Sequence, residues 1–342
     1  MTTVTEVDRP GSAVGPRAWD GDSDLLRELV AYATLAPSSH NTQPWLFRVD
    51  GDIVEVRADR RRALPVADPY DRELTISCGA AVGFLRVAME AHGYEPVVER
   101  LPDPADPDLL ARVGLGPPCP ATPEAVELFA AIAKRRTNRL PFDPRCPPDS
   151  ALAGMEALAA GEGAWLRPVH EPGQKRAIAE FIAEGDRRQA CDPAFRRELA
   201  SWIHPNGSAA RDGMKGTSFG VSDAESHVLP TILRTLNWGR RQAEADRALA
   251  EAGPVLAVLG TGSDNTEAWL RAGEALAMVL LRATADGLSA SFLNQAVQVP
   301  ALRCKLARLL GVSAAPQVVL RLGFGSAAPV SARRPLSEVL LP

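Results

Sequence analysis

Two segments far apart in this chain carry the same glycine spacing. Cys78-Gly79-Ala80-Ala81 opens one apolar stretch and Ala272-Gly273-Glu274-Ala275 lies inside another, and in each a second glycine, Gly93 or Gly287, follows fourteen residues later. Both stretches have apolar residues on most helical faces and end at a glycine, which favours a left-handed helix stop. They are therefore predicted as buried helices over about 73–93 and 265–286. Each is followed by a short leucine-bearing segment with a glycine, Leu109 to Gly114 and Leu306 to Gly311. Two matches in the same order predict a degenerate internal duplication. The 342 residues leave room for about two domains' worth of chain.

Composition removes several classes. Hydrophobic residues at 46% and charged residues at 23% are ordinary for a globular protein, which excludes disorder, collagen and coiled coil as overall descriptions. A formal net charge of -4 excludes the basic excess that draws a whole protein onto nucleic acid, so any anion site must be local. The five cysteines are odd in number and never spaced C-x-x-C, which argues against a disulfide framework or a zinc site. The five histidines show no metal-ligand spacing, and no metal is expected. No run of 18 apolar residues occurs and the first residues lack a hydrophobic signal region, so the expectation is a cytoplasmic protein without membrane partners.

Residues 1–22 mix Pro, Gly, Asp and Thr without period and are expected to be a flexible tail. A helix capped by Ser23 should end before Pro37. Trp45 to Val49 and Ile53 to Arg57 alternate around Asp50-Gly51-Asp52, predicting a hairpin. The Pro- and Asp-rich stretch 102–123 reads as a connection. Helices are expected from Pro123 toward Arg135, over 149–160 and over 172–203, with strands at 165–169, 254–259 and 317–322. Residues 204–230, with four glycines and two prolines, read as a long mobile flap. The strings Gly260-Thr-Gly262 and Gly323-Phe-Gly325 lack the third glycine or the following helix of a dinucleotide fingerprint and are expected to be turns.

Two motifs offer chemistry. Ser38-Ser39-His40-Asn41-Thr42-Gln43 wedges small and amide-bearing side chains between a helix end and a strand, where they can meet the donors and acceptors of a heterocycle. A capped turn has the same composition. Arg135-Arg136-Thr137-Asn138-Arg139 sets three guanidiniums in five residues, suited to a phosphate, and equally to a solvated helix end. Arg333-Arg334-Pro335 poses the same choice.

Together the motifs resemble those of the nitroreductase flavoprotein family. Ala36-Pro-Ser-Ser-His-Asn-Thr-Gln-Pro-Trp45 is similar to its A-P-S-S-x-N-x-Q-P-W signature, Arg135-Arg-Thr-Asn-Arg139 to its R-R-S/T-x-R start, Ala272 to Leu276 with Gly287 to Ser291 to its core helix and the turn after it, and Arg333-Arg334-Pro335-Leu336 to its terminal segment. The loop precedes the arginine motif, the reverse of the ordinary order, which resembles the Acg-type branch, where two nitroreductase-like halves are fused and one chain imitates the homodimer.

The resemblance implies an α+β fold with mainly antiparallel sheets surrounded by helices, a first half over 23–122, and a second over 123–342 with a possible lid at 204–230. It implies one complete FMN site per chain, its twin eroded, and a monomer or weak homodimer; cutting at residue 122 should leave neither part able to bind flavin. Arg135, Thr137 and Arg139 would hold the phosphate and ribityl chain, with Arg334 joining at the phosphate, and Arg136 and Arg333 count among the cofactor-binding residues. Ser38, Ser39, Asn41 and Gln43 would reach the flavin from the other half, Leu288, Ser289 and Ala290 would offer backbone contacts near the ring, and the role of His40 stays open. The implied activity passes hydride from NAD(P)H through flavin to a small-molecule acceptor, with no obligatory catalytic side chain. A flavin-holding protein with a covered site and little turnover is the alternative, and a flavin-free interaction protein a third reading.

Overall fold

The computed structural model describes residues 22–342. The tail expected over 1–22 falls almost wholly outside them, and Asp22 already begins α1 (Asp22–Ala33). In α1, Leu25, Leu26, Leu29, Val30 and Ala33 fall on one face and are buried, which is what holds so short a helix. There follow β1 (Trp45–Asp50), β2 (Ile53–Ala58), α2 (Arg72–Ala91), β3 (Tyr94–Arg100) and β4 (Leu109–Pro118). The hairpin turns at Gly51, whose φ of 59° needs no Cβ penalty. All pairings are antiparallel, in the order β1-β2-β4-β3. Burial alternates along β2 and β3, as expected of a sheet with one face on a core.

α3 (Pro123–Ile132), capped by the Thr122 hydroxyl accepting from the Ala125 amide, leads onward. Then come α4 (Asp149–Gly161), β5 (Ala164–Val169), α5 (Pro172–Cys191), α6 (Pro193–Ser201), β6 (Ile203–His204), β7 (Met214–Lys215), α7 (Asp223–Thr235) and α8 (Gly239–Ala252). The chain continues through β8 (Val255–Thr261), α9 (Thr266–Ala285), β9 (Ser289–Phe292), α10 (Gln295–Gln298), α11 (Pro300–Leu309), β10 (Ala315–Gly323) and α12 (Leu336–Val339). The second sheet is antiparallel in the order β5-β8-β10-β9. Every residue of β8 is buried, because this sheet is covered on both faces: by α4 and α9 on one, and by α5, α8 and α11 on the other.

With insertions set aside, both sets of elements run helix, two strands, helix, two strands, with the last two strands exchanged in space. That makes α2 and α9 counterparts, and they pack on each other at Gly79 and Gly273. A Cβ on Gly79 would lie 2.1 Å from the Leu270 carbonyl oxygen, and one on Gly273 would lie 2.1 Å from that of Ile76. Gly93 and Gly287 both take positive φ just past their helices. The carboxylate of Glu274, fully buried in α9, accepts from Arg86 Nη1 at 2.8 Å and Arg100 Nε at 2.7 Å, tying α2 and β3 to α9. Among the described residues, α2 alone is long and apolar enough to cross a membrane by length and composition, and it is a core helix.

Several expectations need correction. Leu306 to Gly311 closes α11, whereas Leu109 to Gly114 belongs to β4, whose counterpart is β10; a six-residue string of leucine and glycine fits either helix end or strand. The supposed connection over 102–123 holds β4, because Leu109, Leu110, Ala111 and Val113 bury themselves between flanking Asp and Pro residues, and β3 went unassigned. The helix over 172–203 breaks at Asp192, whose carboxylate accepts from the Ala194 amide to start α6. Residues 204–230 are structured: Ser222 and Glu225 form a reciprocal capping box that starts α7. Gly260 is a strand residue of β8 against which the Trp165 indole packs, and Gly323 is the last residue of β10.

Candidate functional site

A cavity of about 2130 Å³ opens between the α1–β1 loop, the segment after α3, the β5–β8 insertion and residues 330–333. Its walls include Pro37 to Asn41, Arg135, Arg136, Thr137, Arg139, Ser291 to Gln295 and Arg333, closed on one side by apolar residues of α7 such as Val228, Leu229 and Ile232.

The loop after α1 is held in an unusual backbone state. His40, Asn41 and Gln43 have φ of 49°, 56° and 52°, a left-handed region that non-glycine residues reach at a cost. What retains it is a dense set of hydrogen bonds. Ser38 Oγ accepts from the Gln43 amide at 2.9 Å, and Ser39 Oγ donates to Glu73 Oε2 at 2.7 Å. Glu73 stands in the first turn of α2 and also receives Gln298 Nε2 at 3.0 Å. Asn41 Nδ2 donates to the Gly213 and Ala332 carbonyls, and its Oδ1 receives Arg333 Nη1 at 3.0 Å. Gln43, fully buried, donates through Nε2 to the Arg211 carbonyl at 2.8 Å and accepts the Arg334 amide at 2.8 Å. Arg62 adds an ion pair to Asp212. The loop is thus clamped to residues 211–214 and 332–334, so the base of the expected flap is anchored.

The arginine segment is set by Asn138. Its amide donates to the Ala290 carbonyl at 2.9 Å, and its side chain donates to the Ser326 carbonyl at 2.7 Å, so the segment runs beside β9. Arg135 and Arg333 converge on the end of α1, both donating to the Leu35 carbonyl. Nε and Nη1 of Arg135 and Nε of Arg333 are buried without a hydrogen-bond partner. Burial, and then the neighbouring guanidiniums of Arg333 and Arg136, push Arg135 down to about 9. Burial, and then Arg136, push Arg333 down to about 10. Two guanidiniums with buried N–H groups that have no hydrogen-bond partner form a receptor for an anion. Arg139 lies farther along the cavity, beside the Phe219 ring and Met214 Sδ, and burial lowers it with Asp246 opposing. His40, its Nδ1 buried and unpartnered, is lowered by burial to about 4 and is neutral at pH 7.

Of the residues singled out from sequence, Ser38, Ser39, His40, Asn41, Arg135, Arg136, Thr137, Arg139 and Arg333 line this cavity. Gln43 and Arg334 do not. The Arg334 guanidinium turns away to the Gln43 and Glu338 carbonyls and toward Asp59, so the guanidinium beside Arg135 belongs to Arg333, its neighbour. Leu288, Ser289 and Ala290 also stay outside: Leu288 and Ala290 pack in the core, and Ser289 Oγ receives Asn138. The wall there comes from Ser291 to Gln295, where the chain leaves β9. Glu73, which fixes Ser39, was hidden in sequence by its place in a mostly apolar helix.

No family model matches the chain. A Mycobacterium tuberculosis protein provisionally named an NAD(P)H nitroreductase is 34% identical over 327 residues, covering 93% of this chain and 92% of its own length. A second from that organism, provisionally named NAD(P)H nitroreductase acg, is 32% identical over 329 residues, covering 93% and 95%. Among solved structures, FMN-dependent nitroreductase NfnB of Mycobacterium smegmatis in complex with NADPH shows 16% identity and a TM-score of 0.40, over 63% of this chain and 96% of that one. The Bacteroides fragilis nitroreductase with bound FMN shows 15% identity and a TM-score of 0.38, over 61% and 94%. With two relatives above 30% identity along nearly its whole length, the chain belongs to the NAD(P)H nitroreductase family, in the branch that includes acg.

Proposed function

We propose that this chain is an FMN-dependent oxidoreductase that takes electrons from NAD(P)H and passes them to a small-molecule acceptor. The observation that carries the reading is the pair of buried guanidiniums of Arg135 and Arg333, whose partnerless N–H groups suit a phosphate monoester dianion. The cavity beside it has room for a flavin and a second ligand. When bound, FMN would supply a two-electron carrier.

The protein's own part is binding and orientation. Arg135 and Arg333, fixed on the Leu35 and Ala36 carbonyls, present their free N–H groups to the phosphate without rearrangement. Asn41 holds Arg333 in place and joins the first-half loop to the insertion. Glu73 fixes the Ser39 hydroxyl, leaving backbone and the neutral His40 imidazole as hydrogen-bonding groups toward a heterocycle. Val228, Leu229 and Ile232 of α7 give one wall of the cavity an apolar surface. Purified protein should carry flavin absorbance, and Arg135→Met should lose most of it. Protein that neither carries nor takes up FMN overturns the reading.

A second reading, a flavin-holding protein with little turnover, is favoured by one observation: residues between 211 and 233 supply much of the cavity lining and are clamped at their base. Anaerobic stopped-flow mixing with NADPH and NADH separates the two. Bleaching with either donor supports the reductase, and none with both supports the covered site.

A further inference from the structure

The same cavity is also lined by an acidic pair. Asp186 stands on α5 and Asp246 on α8, both in the insertion between β5 and β8 that has no counterpart between β1 and β2. They are 2% and 7% exposed. Between them lies Gln295, whose Nε2 donates to Asp186 Oδ1 at 3.1 Å and to Asp246 Oδ2 at 2.8 Å. The approach is built into α5, since a Cβ on Gly185 would meet the Gln295 carbonyl oxygen at 2.8 Å. With both amide protons committed, Gln295 has none left, and Asp186 Oδ2 and Gln295 Oε1 remain buried and unpartnered. Two carboxyl groups this close cannot both ionise away from water.

The surroundings do not neutralise the pair. Arg187 neighbours Asp186 on its own helix, Gln242 donates to Asp246 from α8, and Arg321 and Arg139 reach Asp246 from other elements. The Arg321 guanidinium is directed to the Asn138 and Leu140 carbonyls and the Phe142 ring. Burial, and then the Asp246 charge, push Asp186 up to about 8, so the pair holds one proton at neutral pH.

We propose that Asp186, Asp246 and Gln295 form a proton-donating site on the cavity wall that serves a nitro-type acceptor. Reduction of a nitro group to nitroso consumes one hydride and one proton and releases water. The hydride originates on NAD(P)H, which leaves as NAD(P)+. The proton leaves the carboxyl pair for the departing oxygen, and solvent then reprotonates the pair. This rests on the oxidoreductase reading above.

The pair is tested first in flavin-free protein. Infrared spectra should show a protonated carboxylic acid band that titrates near pH 8 and is lost in both Asp186→Asn and Asp246→Asn. FMN-loaded protein reduced anaerobically with NADPH is then mixed with nitrobenzene. Wild-type reoxidation should slow as pH rises through about 8, and in each variant the ratio of reoxidation to reduction rate should fall about 100-fold with a flattened profile. Absence of the band, or variants with wild-type ratio and pH profile, overturns the proposal. A band that titrates as expected in a protein that never binds FMN instead sinks the oxidoreductase reading, and with it the donation step.

Discussion

Replacing Gly79 by alanine adds one methyl group at the crossing of α2 and α9, and the structure sets what that methyl meets. Its Cβ would sit 2.1 Å from the Leu270 carbonyl oxygen and 3.0 Å from the Gly273 Cα, both main-chain atoms of the facing helix. Ordinary contact needs roughly 3.4 Å or more, so the helices must part by more than about 1 Å, because no side chain can swing clear. Overpacking a core costs typically 1–3 kcal/mol, and a backbone-on-backbone clash belongs at the top, about 3 kcal/mol. At about 2 °C per kcal/mol for a chain this long, Tm should drop by about 6 °C. The same substitution at Gly154 in α4 has nothing within 4 Å of the new Cβ and should instead raise stability by about 0.5–1 kcal/mol, since alanine loses less entropy on folding. Thermal unfolding followed by circular dichroism at matched concentration reads both. If Gly79→Ala melts with the wild type, or Gly154→Ala falls as far as Gly79→Ala, the close crossing is not what fixes these helices. Because Glu73 and Ser77 on α2 hold Ser39, the displaced helix should also weaken cofactor retention.

Glu274→Gln removes the buried partner of Arg86 and Arg100 and should cost about 3 kcal/mol, seen as a lower urea midpoint; an unshifted midpoint contradicts a tie between the two helix-sheet layers there. His40 is lowered to about 4, so the unfolded chain takes up its proton near pH 6.5 before the folded protein does, and wild-type stability is lost as pH falls from 6.5 to 4. His40→Asn, compatible with the positive φ, lacks that loss, so its Tm relative to wild type should climb over this window; a flat difference contradicts a buried neutral imidazole. Arg135→Met takes an unpaired charge away from Arg333 and Arg136 and leaves the Leu35 carbonyl its Arg333 partner, so flavin-free protein should melt higher while FMN retention falls; a lower melt contradicts the repulsion.

Sequence patterning reached the parts of the molecule governed by local rules. The hairpin over 45–58 follows from alternation around Gly51, and the Gly79 and Gly273 match marked two helices that turn out to touch. The Ser38 to Asn41 loop and the Arg135 to Arg139 segment were found because small polar and guanidinium groups are conspicuous in a row, and both line the cavity. What escaped depends on distance in sequence or on side-chain direction. Arg333 and Arg334 are adjacent in sequence and face opposite ways, and only tertiary contacts decide which one joins Arg135. The wall begins at Ser291, within β9, because Leu288 and Ala290 pack into the core and Ser289 is held by Asn138. β4 was obscured by the aspartates and prolines around it, and Asp186 and Asp246 are isolated acids on separate amphipathic helices whose meeting nothing local encodes.

The cavity takes its loop from residues 37–41, its arginines from 135–139 and its last guanidinium from position 333 of one continuous chain. A site shared between separate subunits exists only while those subunits are associated, so dilution dissolves it. Here the parts are covalently joined, and their encounter is first order with an effective concentration fixed by the fold. Cofactor affinity should therefore be the same at nanomolar and at micromolar protein, and the two helix-sheet layers are free to diverge, since a substitution in one is not repeated in the other.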